Sequence, residues 1–325
     1  MLGWFKGNIA VIMMLLPVFA VLWWYPGKED FAGTGEWQTS PLYNLIHWSL
    51  PGMWWSGMWG ILFVVGGAVL LNYVFNSYEF MDRQSFMTGL LFVSAAGLSP
   101  IILSFHPVLP ATLLLVFAAG ILIGIRQGLP SLKRVINACL LIGVASLIYW
   151  PSLVFLPISW FYLGVIRPFV WREWFWTLIA ALIPWIWLVG ISFVITGSWP
   201  SPIDLIQLPQ ERISISWNGL QTGLVILLGL LLVSGLFFFI GSLRKNSLRF
   251  RRIMTVQVFS WMWFSVLFLA AIFFELGMAF LFMGSIPMGL FLGWFLVRNN
   301  LPLAHDLLAY TWLLMIFVKT WSDYF

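Results

Sequence analysis

The sequence predicts an all-α membrane protein, a bundle of about 11 transmembrane helices with its N-terminus inside and its C-terminus outside. Three observations predict it. Of the 325 residues 62% are hydrophobic and only 8% are charged, for a mean hydropathy of +0.97. Apolar runs recur over the whole length, more than a water-soluble core of this size needs. The basic residues also gather in alternate gaps between those runs, as the positive-inside rule demands.

The runs fall at 9–25, 53–75, 86–105, 110–125, 135–149, 152–166, 174–195, 219–240, 254–274, 278–297 and 306–318. The first is followed by further spans and by no small-residue cleavage site, so it reads as a helix and not as a removable signal. The third and fourth are joined by the tight turn "SFHPVLP", with Pro107 and Pro110, and the fifth and sixth by "YWPS", with Pro151. Pro157 and Pro184 lie within spans, where a freed carbonyl is best tolerated inside the bundle or beside a cavity. The runs ending at Ile125, Tyr149 and Ile166 hold about 15 apolar residues, short of the ~20 that cross a bilayer core. Neighbouring helices, a thinned bilayer or a cavity must shield them. The sequence shows no soluble domain and no repeat of fixed period. We expect a single integral membrane domain over 1–325, with outer loops at 26–52 and 196–218 and a basic cytoplasmic loop at 241–253.

With the N-terminus inside, Lys6, Arg83, Arg126, Lys133, Arg134, Arg167, Arg172, Arg244, Lys245, Arg249, Arg251, Arg252 and Arg298 face the cytoplasm, and only Lys28, Arg212 and Lys319 stay outside. The net charge of +5 is therefore a topology signal and requires no nucleic acid. The segment "RKNSLRFRR", Arg244 to Arg252, suits a topogenic anchor on anionic headgroups. The 22 Trp and 30 Phe supply aromatic belts at both surfaces, and "WREW" reads as belt with a salt-bridged Arg172. Cys139 is the single cysteine and sits in an apolar run, which excludes a disulfide framework and a thiolate metal site. Three histidines, with His305 inside, make a histidine-cluster metal site improbable. No metal and no cofactor are expected.

The outer loop 26–52 concentrates charge: Lys28, Glu29, Asp30 and Glu36 precede "PLYNLIHWSL", in which Leu42, Leu45, Ile46 and Leu50 recur at helical spacing. This predicts an amphipathic surface helix with Ser40 at its N-cap and Pro41 in its first turn. The carboxylates upstream are then held near headgroup level. They serve either as a general base toward a hydroxyl at that interface or as solvated loop charges. His106, in the outer turn, either bonds a substrate oxygen or satisfies a nearby carbonyl. His47 shares a helix face with Tyr43 and Asn44 and meets headgroups. Glu275, after "FLAAIFF", is the acid deepest in the bilayer boundary. Nothing resembles a phosphate-binding glycine loop, a Ser-His-Asp order or a metalloprotease helix.

The acidic first outer loop with its "PLYNLIHW" helix, the "LSPIILSFHPVLPATLLL" turn and "LIGVASLIYWPSLVFLPISWFYL" resemble the GT-C class of membrane glycosyltransferases, which use polyprenyl-phosphate sugars. The resemblance implies a catalytic acid in the first outer loop, which carries over to Asp30 and Glu29, with Glu36 a further acid for substrate. It also implies a departing lipid phosphate. Arg212 offers that anion a guanidinium, shared with Lys28, unless Arg212 is merely paired with Glu211 in solvent. The chain departs from the class in lacking an Asp-Glu-Ala signature after the first span and a large outer domain after the last. Its "HP" turn, "LIGVASLIYWPSLVF" and "WREW" also resemble a family of multi-spanning inner-membrane proteins of Bacteroidota, which implies the bacterial cytoplasmic membrane. A non-catalytic scaffold of GT-C-derived fold, bound to other envelope proteins through stretches such as "FVVGGAVLL", is the alternative. A transporter would show related halves, and none is visible.

Overall fold

The computed structural model describes residues 14–24, 42, 53–78, 85–97, 106–126, 131–166, 170–197, 219–242, 247–270, 275–297, 310–314, 316 and 318. Every regular element among them is a helix: α1 Leu15–Trp24, α2 Met53–Ser77, α3 Met87–Ala96, α4 Val108–Ile123, α5 Leu132–Ile148, α6 Phe155–Ile166, α7 Trp171–Thr196, α8 Gly219–Ser242, α9 Leu248–Ala270 and α10 Glu275–Val297. A 3-10 turn, Trp150–Val154, leads into α6. Four stretches among the described residues are long and apolar enough to cross a membrane: Met58–Ser77, Trp171–Ile195, Leu248–Ala270 and Ala279–Val297. All these helices fall on the apolar runs.

One boundary differs. The span expected from residue 254 belongs to a helix that starts at Leu248, so Arg249, Arg251 and Arg252 lie on α9 and not in a loop. Ser247 explains the early start. Its Oγ accepts the Phe250 N–H at 3.3 Å and its carbonyl the Arg251 N–H at 3.0 Å, which caps the helix. The apolar pattern begins only after the arginines, so hydropathy alone places the boundary too late.

The contacts divide the chain into two compact units: residues 1–34, 57–105 and 212–325, and residues 35–56 and 106–211. In the first, α10 packs on α9, α3 and α8, and α3 also meets α1. The ten-residue α3 is buried throughout. Close approach explains how. Gly289 and Gly293, one turn apart on α10, lie against Thr88 of α3, and a Cβ at Gly293 would strike the Thr88 hydroxyl. At the far side of α10, Trp294 meets Phe238, Phe239 and Phe250 with ring centroids 5.8, 5.9 and 5.3 Å apart. Such tilted and edge-on pairs are the favoured aromatic geometry.

In the second unit α5 is the central helix, with α4 and α7 against it. Gly143 lets α7 approach: the Ala181 carbonyl and the Pro184 ring occupy the space a side chain would need. Trp185 then donates from Nε1 to Ser146 Oγ at 2.7 Å, one turn along the same seam. Pro184 withholds the N–H that would close a helical bond, which is tolerable because the break is packed against α5. The α6 helix joins α7 through Trp160, whose Nε1 donates to Thr177 Oγ1 at 2.7 Å and whose ring stacks on Trp174 at 6.1 Å.

Candidate functional site

Of the residues singled out in the sequence, Lys28, Glu29, Asp30, Glu36 and Arg212 lie outside the described residues. So do the surface helix, apart from Leu42, and the loop 198–218. What the structure does show is the frame of the first loop. It leaves α1 after Trp24 and enters α2 at Met53, both apolar helices. Glu275 is the first residue of α10, at the end of that helix and not in its middle.

His106 is described and buried, only 4% exposed. It precedes α4, whose first-turn N–H groups need acceptors that an apolar surrounding cannot offer. The accounting closes around this residue. His106 Nδ1 accepts the Val108 N–H at 3.1 Å, and its carbonyl accepts the Leu109 N–H at 2.9 Å. Pro110 has no N–H, and the Ala111 N–H reaches the Pro107 carbonyl at 3.4 Å. Because Nδ1 accepts, the neutral ring carries its proton on Nε2. The ring also meets Tyr149 edge-on at 5.5 Å, which ties the "HP" turn to the end of α5. Burial holds the imidazole pKa down to about 3, so it stays neutral at physiological pH. Of the two roles open to it in the sequence, the structure shows it satisfying the turn, through a backbone N–H.

Two polar constellations were not foreseen. Asn72 and Asn76, one turn apart on α2, clasp the start of α3. Asn72 Oδ1 accepts the Gly89 N–H at 2.8 Å, while Asn76 accepts the Ser85 N–H at 3.0 Å and donates to its carbonyl at 3.2 Å. Ser85 Oγ in turn takes the Met87 N–H at 3.2 Å. The "NYVFN" spacing in an apolar run was the available signal, since intramembrane amides at i and i+4 share a helix face.

The second constellation is Glu173, read in the sequence as part of an aromatic belt. It is 9% exposed, and its Oε1 accepts a 2.7 Å bond from Ser131 at the start of α5. A carboxylate in the first turn of α7 beside the N-terminus of α5 gains from both helix dipoles. Ser131 lies 42 residues away, so no local pattern announced the pair. Among the described residues no three His, Cys, Asp or Glu side chains come together as a metal site.

The described residues define an all-helical protein with four membrane-length helices, in which Asn72, Asn76 and Glu173 reach the start of a neighbouring helix. Comparison with protein-family models, curated proteins and solved structures finds no match.

Proposed function

We propose that the chain is a multi-pass protein of the bacterial inner membrane with GT-C-like architecture. Its activity on this reading is transfer of a sugar from a polyprenyl-phosphate donor to an acceptor at the outer face. The observation that carries it is the clustering of Lys28, Glu29, Asp30 and Glu36 between two apolar helices, α1 and α2, in a chain only 8% charged. An acid fixed there meets a lipid-linked head at the depth where it is presented. Asp30, or Glu29 beside it, takes the proton of the acceptor hydroxyl. The hydroxyl oxygen forms the new bond to the sugar C1 as the bond from C1 to the phosphate oxygen breaks. The electron pair leaves with the polyprenyl phosphate, whose charge Arg212 and Lys28 stabilise. Glu36 is assigned to substrate hydroxyls, and His106 acts by holding the outer turn in place.

Lipid extracts from a deletion host carrying wild type, Asp30→Asn or Glu29→Gln at matched expression test this. A polyprenyl-linked sugar should accumulate in at least one variant while its glycan product falls at least about a hundredfold, the lower end of what a positioned general base contributes. Matching profiles in all three strains refute catalysis.

A second reading has its own observation. The α7 helix leaves a long apolar face uncovered, with Trp187 68% and Ile195 77% exposed. A non-catalytic scaffold in an envelope complex would use such a face for a partner helix. Cross-linking from position 187 in native membranes separates the two, since a scaffold yields a discrete protein adduct.

A further inference from the structure

One end of the second unit is cationic for reasons the transferase reading does not use. Arg126 follows α4, Lys133 and Arg134 open α5, and Arg172 opens α7, and all four are exposed. Two bonds gather these helix ends. Arg134 Nη1 donates to the Gly124 carbonyl at the end of α4, and Ser131 donates to Glu173 across α5 and α7. The one acid among the described residues at this end, Glu173, is thus buried and engaged by Ser131, so the described surface presented outward is cationic.

The uncovered apolar face of α7 starts at the same place. Trp171, Phe175, Leu178, Leu182 and Ile186 are all exposed, and the face continues to Ile195. At 1.5 Å per residue it runs about 36 Å, enough to line the roughly 30 Å hydrocarbon core of a bilayer. Trp171, 66% exposed, stands at the join between cations and apolar stripe, where an indole prefers to lie. A soluble phosphate would use the cations and ignore the stripe. A neutral lipid would use the stripe and gain little from the cations.

We propose that this end of the second unit binds the headgroup of an anionic phospholipid, with the phosphate against Arg126, Lys133, Arg134 and Arg172 and the acyl chains along α7. It rests on the membrane reading and not on sugar transfer. The cations then do more than orient the chain during insertion: they hold a particular lipid class against α7.

The full chain in nanodiscs of phosphatidylcholine with a minor fraction of phosphatidylglycerol provides the test, with the lipid retained after release counted by native mass spectrometry. Wild type should retain phosphatidylglycerol well above its bulk share. Each cation removed should lower that excess about fivefold, and about 0.5 M salt should weaken it. Arg134 also holds the Gly124 carbonyl, so a variant lacking it risks misfolding. The deciding variant is therefore Arg126→Gln with Lys133→Gln, and its control is the charge-preserving Arg126→Lys with Lys133→Arg, which should retain the wild-type excess. Retention at bulk proportion by wild type, an unchanged excess in the neutralised variant with native topology, or displacement of the lipid by millimolar inorganic phosphate overturns the proposal. A chain that never enters the nanodisc overturns the membrane reading itself, and that result is distinct from the others.

Discussion

Replacing Gly143 with alanine tests the account of how α5 and α7 meet. A Cβ there would strike the Ala181 carbonyl oxygen and stand 3.0 Å from Pro184 Cγ and 3.1 Å from the Ala181 carbonyl carbon. Neither obstacle is the end of a flexible side chain: one is helix backbone and the other a proline ring. The only relief is for α7 to retreat. That retreat stretches the 2.7 Å bond from Trp185 to Ser146, one turn further along the seam. Overpacking of this kind costs about 1–3 kcal/mol, and a lost buried hydrogen bond adds about 1 kcal/mol. Against this, alanine gains about 1 kcal/mol over glycine in a helix. The balance is a destabilisation of about 1–3 kcal/mol. Gly190, on α7 with nothing near its would-be Cβ, is the control and should show the gain alone. Thermal unfolding in detergent, followed by the monodisperse fraction on size exclusion, reads both. A chain of 325 residues shifts by roughly 1.5 °C per kcal/mol, so Gly143→Ala should melt roughly 2–4 °C low and Gly190→Ala level with wild type or slightly high. Equal melting of the two glycine variants would refute the tight seam. So would full additivity between Gly143→Ala and Ser146→Ala, because a shared displacement must couple them.

Two further outcomes concern the helix ends. Asn72→Ala removes the acceptor of the buried Gly89 N–H and should cost about 1–3 kcal/mol by the same assay, more than Asn76→Ala at its half-buried position; an equal or smaller loss at Asn72 would contradict the clasp. His106 makes stability pH-dependent: its folded pKa of about 3 lies below the ordinary 6.5, so the contribution is complete above pH 6.5 and is lost as pH falls from there toward 3. Between pH 7.5 and 5 the loss should be about 2 kcal/mol, at about 1.4 kcal/mol per unit below 6.5, and His106→Gln should flatten that part of the melting-versus-pH curve; an unaltered slope would mean the ring is not held neutral.

Helix positions were legible because hydropathy reports burial in lipid or protein without needing to know the partner. The run 53–75 became Met53–Ser77 and the run 278–297 became Glu275–Val297. What hydropathy could not supply was pairing. Asn72 was not singled out in the sequence, because its role depends on Gly89, 17 residues on. Glu173 looked like a belt residue beside Arg172, and its meaning came from Ser131. His106 was noticed, yet its neighbour two residues away decided its role, because a histidine before a Pro-rich helix start can supply the acceptor that start lacks. The acids of the first loop were legible only as composition, since a loop's chemistry depends on geometry that no periodicity encodes.

The way the described polar groups are spent also says where chemistry can reside. Asn72, Asn76 and His106 each bind a backbone N–H at a helix start, and Glu173 takes the hydroxyl at the head of α5. A group so engaged is costly to redirect in an apolar interior, where an orphaned N–H loses its partner without compensation from water. Substitutions at these positions should therefore move melting temperature together with any activity. A loop carboxylate such as Asp30 carries no such duty on the transferase reading. Its loss should abolish product at unchanged melting temperature, and that dissociation separates a reacting group from a structural one more sharply than activity alone.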